Sequence, residues 1–276
     1  MSAPTVPANR KDFTLADAAR QFSKHPSPLM IGAMLVAALA MRIALGDWQI
    51  TDALVSASIV TAFPFLEWAI HVFILHWRPK HIGKLVIDPL LAHKHRQHHA
   101  DPRVPALVFI PAETLPWILA GAVAIALLAF PRVGLGLTFL TLAMALGLCY
   151  EWTHHLIHTD YKPKTSIYRA IWRNHRLHHF KNEHYWFTIT TSGTADRVLR
   201  TYPDPATVPT SPTAKDLHAS RSGGAARNQQ RPARSRQNPV TDRGGGPKDA
   251  GLRNRLPHIG VRLSSVLQSG VGRSRQ

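Results

Sequence analysis

The chain has 276 residues, 45% of them hydrophobic, and a formal net charge of +17 at pH 7. The charge is unevenly placed: residues 213–276 hold 13 Lys and Arg against 3 Asp and Glu, in a Gly-, Ser-, Arg- and Pro-rich stretch with no interleaved aromatics, which argues against nucleic-acid binding. Cys149 is the single cysteine, so an intrachain disulfide and a cysteine-ligated iron–sulfur cluster are excluded.

Residues 1–28 form a polar N-terminal segment without the early apolar stretch and small-residue cleavage site of a secretory signal, and are expected to stay in the cytoplasm. Leu29 to Leu45 is nearly all apolar, interrupted by Arg42, whose long side chain is expected to snorkel to the interface. This is the first predicted membrane helix. The link Gly46-Asp47-Trp48-Gln49 leads into a second, Ile50 to Ile70, kinked at Pro64, and the pair forms a hairpin. From Trp77 to Arg103 the chain is polar and carries Arg78, Lys80, Lys84, Lys94, Arg96 and Arg103, which places it in the cytoplasm by the positive-inside rule.

Leu107 to Phe130 is apolar, but Pro111, Glu113 and Pro116 break its first half, so the chain is expected to turn into the membrane near Leu115. After a turn at Pro131-Arg132, Val133 to Tyr150 crosses back, with Gly134, Gly136 and Gly147 offering sites of close helix contact. Tyr161 to Trp172 reads as a polar connection, and packing is expected to end near Pro209. Residues 210–276 then form a basic tail with no hydrophobic period, which predicts disorder. A shifted reading frame in a GC-rich gene yields the same composition as a basic tail near anionic lipid, and intact mass separates the two. The predicted organisation is residues 1–28, a membrane-embedded domain over 29–209, and the tail. The predicted fold class is an all-α integral membrane protein, with four transmembrane helices in two hairpins and a cytoplasmic histidine-rich helical cap. Both termini lie in the cytoplasm.

Histidine spacing carries the chemistry. His95, His98 and His99 stand at i, i+3 and i+4 and share one helical face, and the pattern recurs at His175, His178 and His179. Each copy follows a pair, His71 and His76 before the first, His154 and His158 before the second. An even number of crossings brings all of them to the cytoplasmic side. Two octahedral ions offer about twelve ligand positions, so these imidazoles leave about two for oxygen, water or substrate, whereas a structural zinc takes about four ligands. Softness alone admits iron, zinc, copper or nickel.

These residues resemble the boxes of the membrane-bound fatty acid hydroxylase and sterol desaturase superfamily, over roughly residues 60–200. Two further stretches strengthen the resemblance: Leu107-Val108-Phe109-Ile110-Pro111, and Asp196-Arg197-Val198-Leu199 followed by Thr201-Tyr202-Pro203. The resemblance implies a four-helix membrane fold, two iron ions (with zinc as a substitute in purified or recombinant protein), dioxygen as oxidant, and a lipid substrate entering from the bilayer. Electrons come from an external donor of the ferredoxin, cytochrome b5 or flavin reductase type. Departures are His155 and Thr159, where the fatty acid 2-hydroxylases resemble Tyr and His, and no cytochrome b5 domain is fused to the chain.

The expected function is therefore a di-iron oxygenase that hydroxylates a lipid, with desaturation as the alternative outcome on the same site. A membrane metal transporter or metal-binding protein ranks lower, since the spanning segments show no histidine or paired acid at mid-depth. His81, His93, His155 and His184 are expected in supporting roles, His184 being the first candidate for promotion to ligand, while His25, His218 and His258 are expected to face solvent. Glu151, Asp160, Asp101 and Glu183 are near enough in sequence to accept ligand ring N–H groups.

Overall fold

A computed structural model describes residues 13–218, and its apolar helices pack around one long central helix. The expectations for residues 1–12 and 219–276, His258 included, lie outside the described residues.

The first helix, α1 (Leu15–Phe22), is started by Thr14, whose hydroxyl accepts the Asp17 amide N–H while the Asp17 carboxylate accepts the Thr14 N–H. Its Ala18 is buried against Leu156 and Tyr161. α2 (Pro26–Leu45) begins with proline, whose missing N–H costs nothing in a first turn, and stops at Gly46 in the left-handed region. α3 (Ile50–Ile70) has the predicted bounds and contains Pro64. It does not end there but runs on through a π-helical turn, His71–Leu75. A small antiparallel hairpin follows, β1 (Lys80–Ile82) and β2 (Leu85–Ile87), then α4 (Leu90–Ala100) and the short α5 (Pro105–Val108). α6 (Leu115–Leu128) starts at the predicted Leu115. α7 (Val133–His158) continues eight residues past the predicted Tyr150, α8 (Ser166–Phe180) begins inside the stretch expected to be a connection, and α9 (Thr194–Val198) is a single turn.

Three segments, Pro26–Leu45, Ile50–Leu75 and Val133–His158, are long and apolar enough to cross a membrane, and α6 is equally apolar but only 14 residues long. The buried side chains between α2, α6 and α7 include Ile31, Leu115, Leu119, Leu140 and Met144, while Leu54, Val60, Trp117 and Leu128 point outward as a lipid solvent allows. At Gly136 an added Cβ would collide with the Ala126 carbonyl, so α6 and α7 touch backbone to backbone.

Both inter-helix turns meet at one end of the bundle. The Arg132 guanidinium donates to the Asp47 carboxylate at 2.8 Å and to Asp52 at 2.6 Å, tying the α6–α7 turn to the α2–α3 turn. Arg42 does not snorkel: it is buried, donates to Asp52 at 3.1 Å and Thr138 at 2.9 Å, and lies 3.5 Å from the centre of the Trp48 ring. Two acids within reach decide this, since a guanidinium matched by carboxylates can be withdrawn from water.

Candidate metal centre

The opposite end of the bundle gathers the histidines. His71, His76, His95, His99 and His178 form one group and His98, His154, His158, His175 and His179 a second, the candidate ligand atoms of each lying within 4.8 Å of one another. Each triple is divided between the groups. At 100° per residue, i and i+4 are displaced by about 40° while i+3 falls about 60° to the other side. Thus His95 and His99 turn to the first group and His98 to the second, while His175 and His179 turn to the second and His178 to the first.

The His71/His76 pair depends on the π-helical turn. In an α-helix, residues five apart point about 140° away from each other. The wider turn, closed by the His76 N–H on the His71 carbonyl at 3.0 Å, brings both rings to one side, their centroids 5.0 Å apart.

The arrangement suits metal ions. Nε2–Nε2 separations are 3.2 Å for His95–His99, 3.2 Å for His99–His178, 2.9 Å for His158–His175 and 3.0 Å for His175–His179. With metal–nitrogen bonds of about 2.1 Å, ligands at right angles sit about 3.0 Å apart and tetrahedral ones about 3.4 Å apart. Buried ring nitrogens of His71, His76, His98 and His154 have no hydrogen-bond partner, which is costly unless an ion occupies them. Burial, followed by the neighbouring rings, holds His76, His95, His98, His175 and His179 well below the ordinary imidazole pKa, so these rings are neutral and present lone pairs.

The fatty acid hydroxylase family model matches residues 56–201, more than half of the chain and every histidine above. The chain belongs to the fatty acid hydroxylase family. A solved structure described as full-length Scs7p, with only the hydroxylase domain visible, superposes with a TM-score of 0.54 at 19% identity, covering 67% of this chain and 68% of that one. At that identity the likeness speaks for the fold. No curated protein sequence matches the chain.

In this member of the family, backbone carbonyls rather than the expected carboxylates receive the histidine N–H groups. With Nδ1 protonated, His71 donates to Phe187 O at 2.6 Å, His99 to Ala214 O at 2.9 Å, His154 to Val108 O at 2.8 Å and His178 to Tyr185 O at 2.9 Å. That tautomer leaves Nε2 free to face the centre. The carboxylates act one step further out, by pinning the segments that carry those carbonyls. Glu67 accepts the Ile189 and Thr190 N–H groups, Asp196 accepts those of Phe187 and Thr188, and Glu151 accepts that of Ile110. Buried Glu183 accepts the Ser211 and Thr213 hydroxyls at 2.9 and 2.5 Å. Gly193, at φ 96°, makes the turn that lets Asp196 face this loop, and a Cβ there would strike the Tyr202 ring.

Residues 210–218, expected within the tail, are therefore part of the site, with Ala214 and Leu217 buried. His218, expected to face solvent, is half-buried with Nε2 3.2 Å from the His76 carbonyl, and His25 stacks on Phe109 at 4.0 Å. His184, the first candidate for promotion, is exposed and turned away beside Glu183, while Asp101 and Asp160 reach no ligand ring. His81 is exposed, His93 pairs with Asp88, and His155 is buried among Phe22, Phe109 and Trp152.

Proposed function

We propose that the chain is a membrane-bound di-iron oxygenase that hydroxylates a lipid, with dioxygen as oxidant and an external electron donor. The observation that carries this reading is the pair of five-imidazole groups, eight of the ten rings buried, reached at His95 and His154 by a small cavity that adjoins a larger apolar one. Family membership independently makes the chain an oxidoreductase of the lipid hydroxylase or desaturase type.

His71, His76, His95, His99 and His178 would hold one iron and His98, His154, His158, His175 and His179 the other. When bound, the irons supply dioxygen activation and hydrogen removal from an unactivated C–H bond. In balance, one C–H, one dioxygen, two electrons and two protons give one C–OH and one water. The chain's own residues orient and exclude. The carbonyls of Phe187, Ala214, Val108 and Tyr185 hold the rings in one tautomer, and Leu107 to Pro111 with Leu75 and Leu91 wall the cavity against water.

For topology we propose four crossings with the histidine end in the cytoplasm. The shared turn end supports two hairpins, α2–α3 and α6–α7. Among the described residues its cations, Arg42 and Arg132, are paired with Asp47 and Asp52, whereas the histidine end carries Arg78, Lys80, Lys84, Arg103, Lys162 and Lys164. The membrane domain then runs from residue 29 to the end of the packed segment near 218.

The test supplies membranes with iron, a reductase system and labelled dioxygen. A lipid product with one labelled oxygen atom, absent from His98→Ala membranes, is the expected result. An unlabelled product with a new double bond would assign desaturation. No oxygen-dependent change in any lipid, with metal loaded and electrons flowing, would leave metal transport or binding as the better account.

A further inference from the structure

Two cavities adjoin at the histidine end. The larger, about 200 Å³, is walled by apolar side chains such as Phe63, Leu66, Ile70 and Ile118, with the carboxylate of Glu67 already engaged by the backbone of Ile189 and Thr190. The smaller, about 50 Å³, reaches His95 of the first group and His154 of the second. Leu75, Leu91, Ile110 and Tyr150 line both, so a chain in the larger cavity leads directly to the rings.

One wall residue of the smaller cavity does not belong in an apolar passage. Lys94 is half-buried and, among the described residues, makes no hydrogen bond, ion pair or ring contact. Its neighbour Arg96, by contrast, is held by Asp88 at 2.5 Å. On α4 the positions 91, 94, 95 and 98 fall at i, i+3, i+4 and i+7, so Lys94 shares the inward face with Leu91, His95 and His98. An ammonium on a cavity wall, with three donors, no acceptor and no partner among the described residues, favours an anion that brings its own oxygens.

We propose that Lys94 is a specificity residue that binds the anionic head, carboxylate or phosphate, of an amphiphile whose hydrocarbon chain fills the larger cavity. This rests on the lipid-oxidising reading of the same site. It adds that carbons close to the head lie beside His95 and His154, so oxidation falls near the head and not at the far end of the chain.

The test uses metal-loaded protein in phosphatidylcholine nanodiscs and measures binding of palmitate, hexadecyl phosphate and the neutral hexadecanol. Wild type is expected to hold at least one of the two anions about tenfold more tightly than hexadecanol, Lys94→Gln to lose that preference while keeping its metal, and Lys94→Arg to retain it. Equal affinity of wild type for all three probes, or a preference that survives in Lys94→Gln, overturns the assignment and leaves Lys94 reaching water or bilayer phosphate. Those outcomes spare the lipid-oxidising reading, whereas no binding of any probe to wild type removes that reading as well.

Discussion

Burial and hydrogen bonding set each histidine's role. His98 has no exposed surface and no partner on either ring nitrogen, whereas the His184 side chain is 71% exposed. His98→Ala should therefore lower metal content and abolish activity, and His184→Ala should leave the metal content of purified protein unchanged; equal losses would erase the distinction. Protonation provides a second check. In the folded chain, burial depresses the pKa of His76, His95, His98, His99, His175, His178 and His179 below its ordinary value near 6.5. The unfolded chain then binds more protons below about pH 6.5, so their contribution to stability is present above that pH and is lost as pH falls. Metal-free protein should show a falling Tm between pH 7.5 and 5.5 by tryptophan fluorescence, and added metal should move the loss to lower pH. A flat Tm would mean the rings are not buried uncharged.

Elements act on the site through what they carry. The segment 210–218 delivers the Ala214 carbonyl to His99 and is held there by Glu183 through Ser211 and Thr213. Glu183→Ala should loosen the segment and weaken metal binding in the first group by about tenfold, the lower end of the usual range for removing an outer partner, while the second group stays loaded. Site-resolved iron spectroscopy or stepwise chelation reads the difference, and uniform loss from both groups would count against a local role. At the other end, Arg42→Ala removes one of the two guanidinium groups from which buried Asp52 accepts, Arg132 keeping the other, and should lower stability by about 1.5–3 kcal/mol in a detergent unfolding titration without altering the metal centre. Neither Arg42's burial nor the role of residues 210–218 was legible in sequence, because each depends on where the fold places the partners, Asp47 and Asp52 folded back over the α2–α3 turn in one case and Glu183 in the other.

For the whole molecule the decisive arrangement is two hairpins turned at one end with histidines at the other. In a Cys149→Ser background, Lys84→Cys and Pro131→Cys probe exposed positions at the two ends. An impermeant maleimide added to sealed right-side-out vesicles should label Pro131→Cys directly and Lys84→Cys only after permeabilisation. Labelling of both, or the reverse order, would overturn the proposed topology. The predicted limits of α3 and the start of α6 agreed with the structure because runs of apolar residues bounded by prolines and turn residues are local signals. The extensions of α3 through the π-helical turn and of α7 to His158 were missed because histidines in a last helical turn read as polar loop when their burial is not visible.

Hydropathy and residue type are properties of the local chain, so the helical class, the apolar segments and the set of histidines follow from residue order alone. Tertiary structure decided how those histidines divide. His95 and His98 are three residues apart on one helix yet face different groups, and His178 joins His71 from another helix, because helical rotation separates neighbours while packing brings distant faces together. It also decided which oxygen each ring meets. Carbonyls of Phe187 and Ala214, which no residue identity advertises, fix the tautomers because every backbone carbonyl is an acceptor and only the fold selects the few that point at a ring.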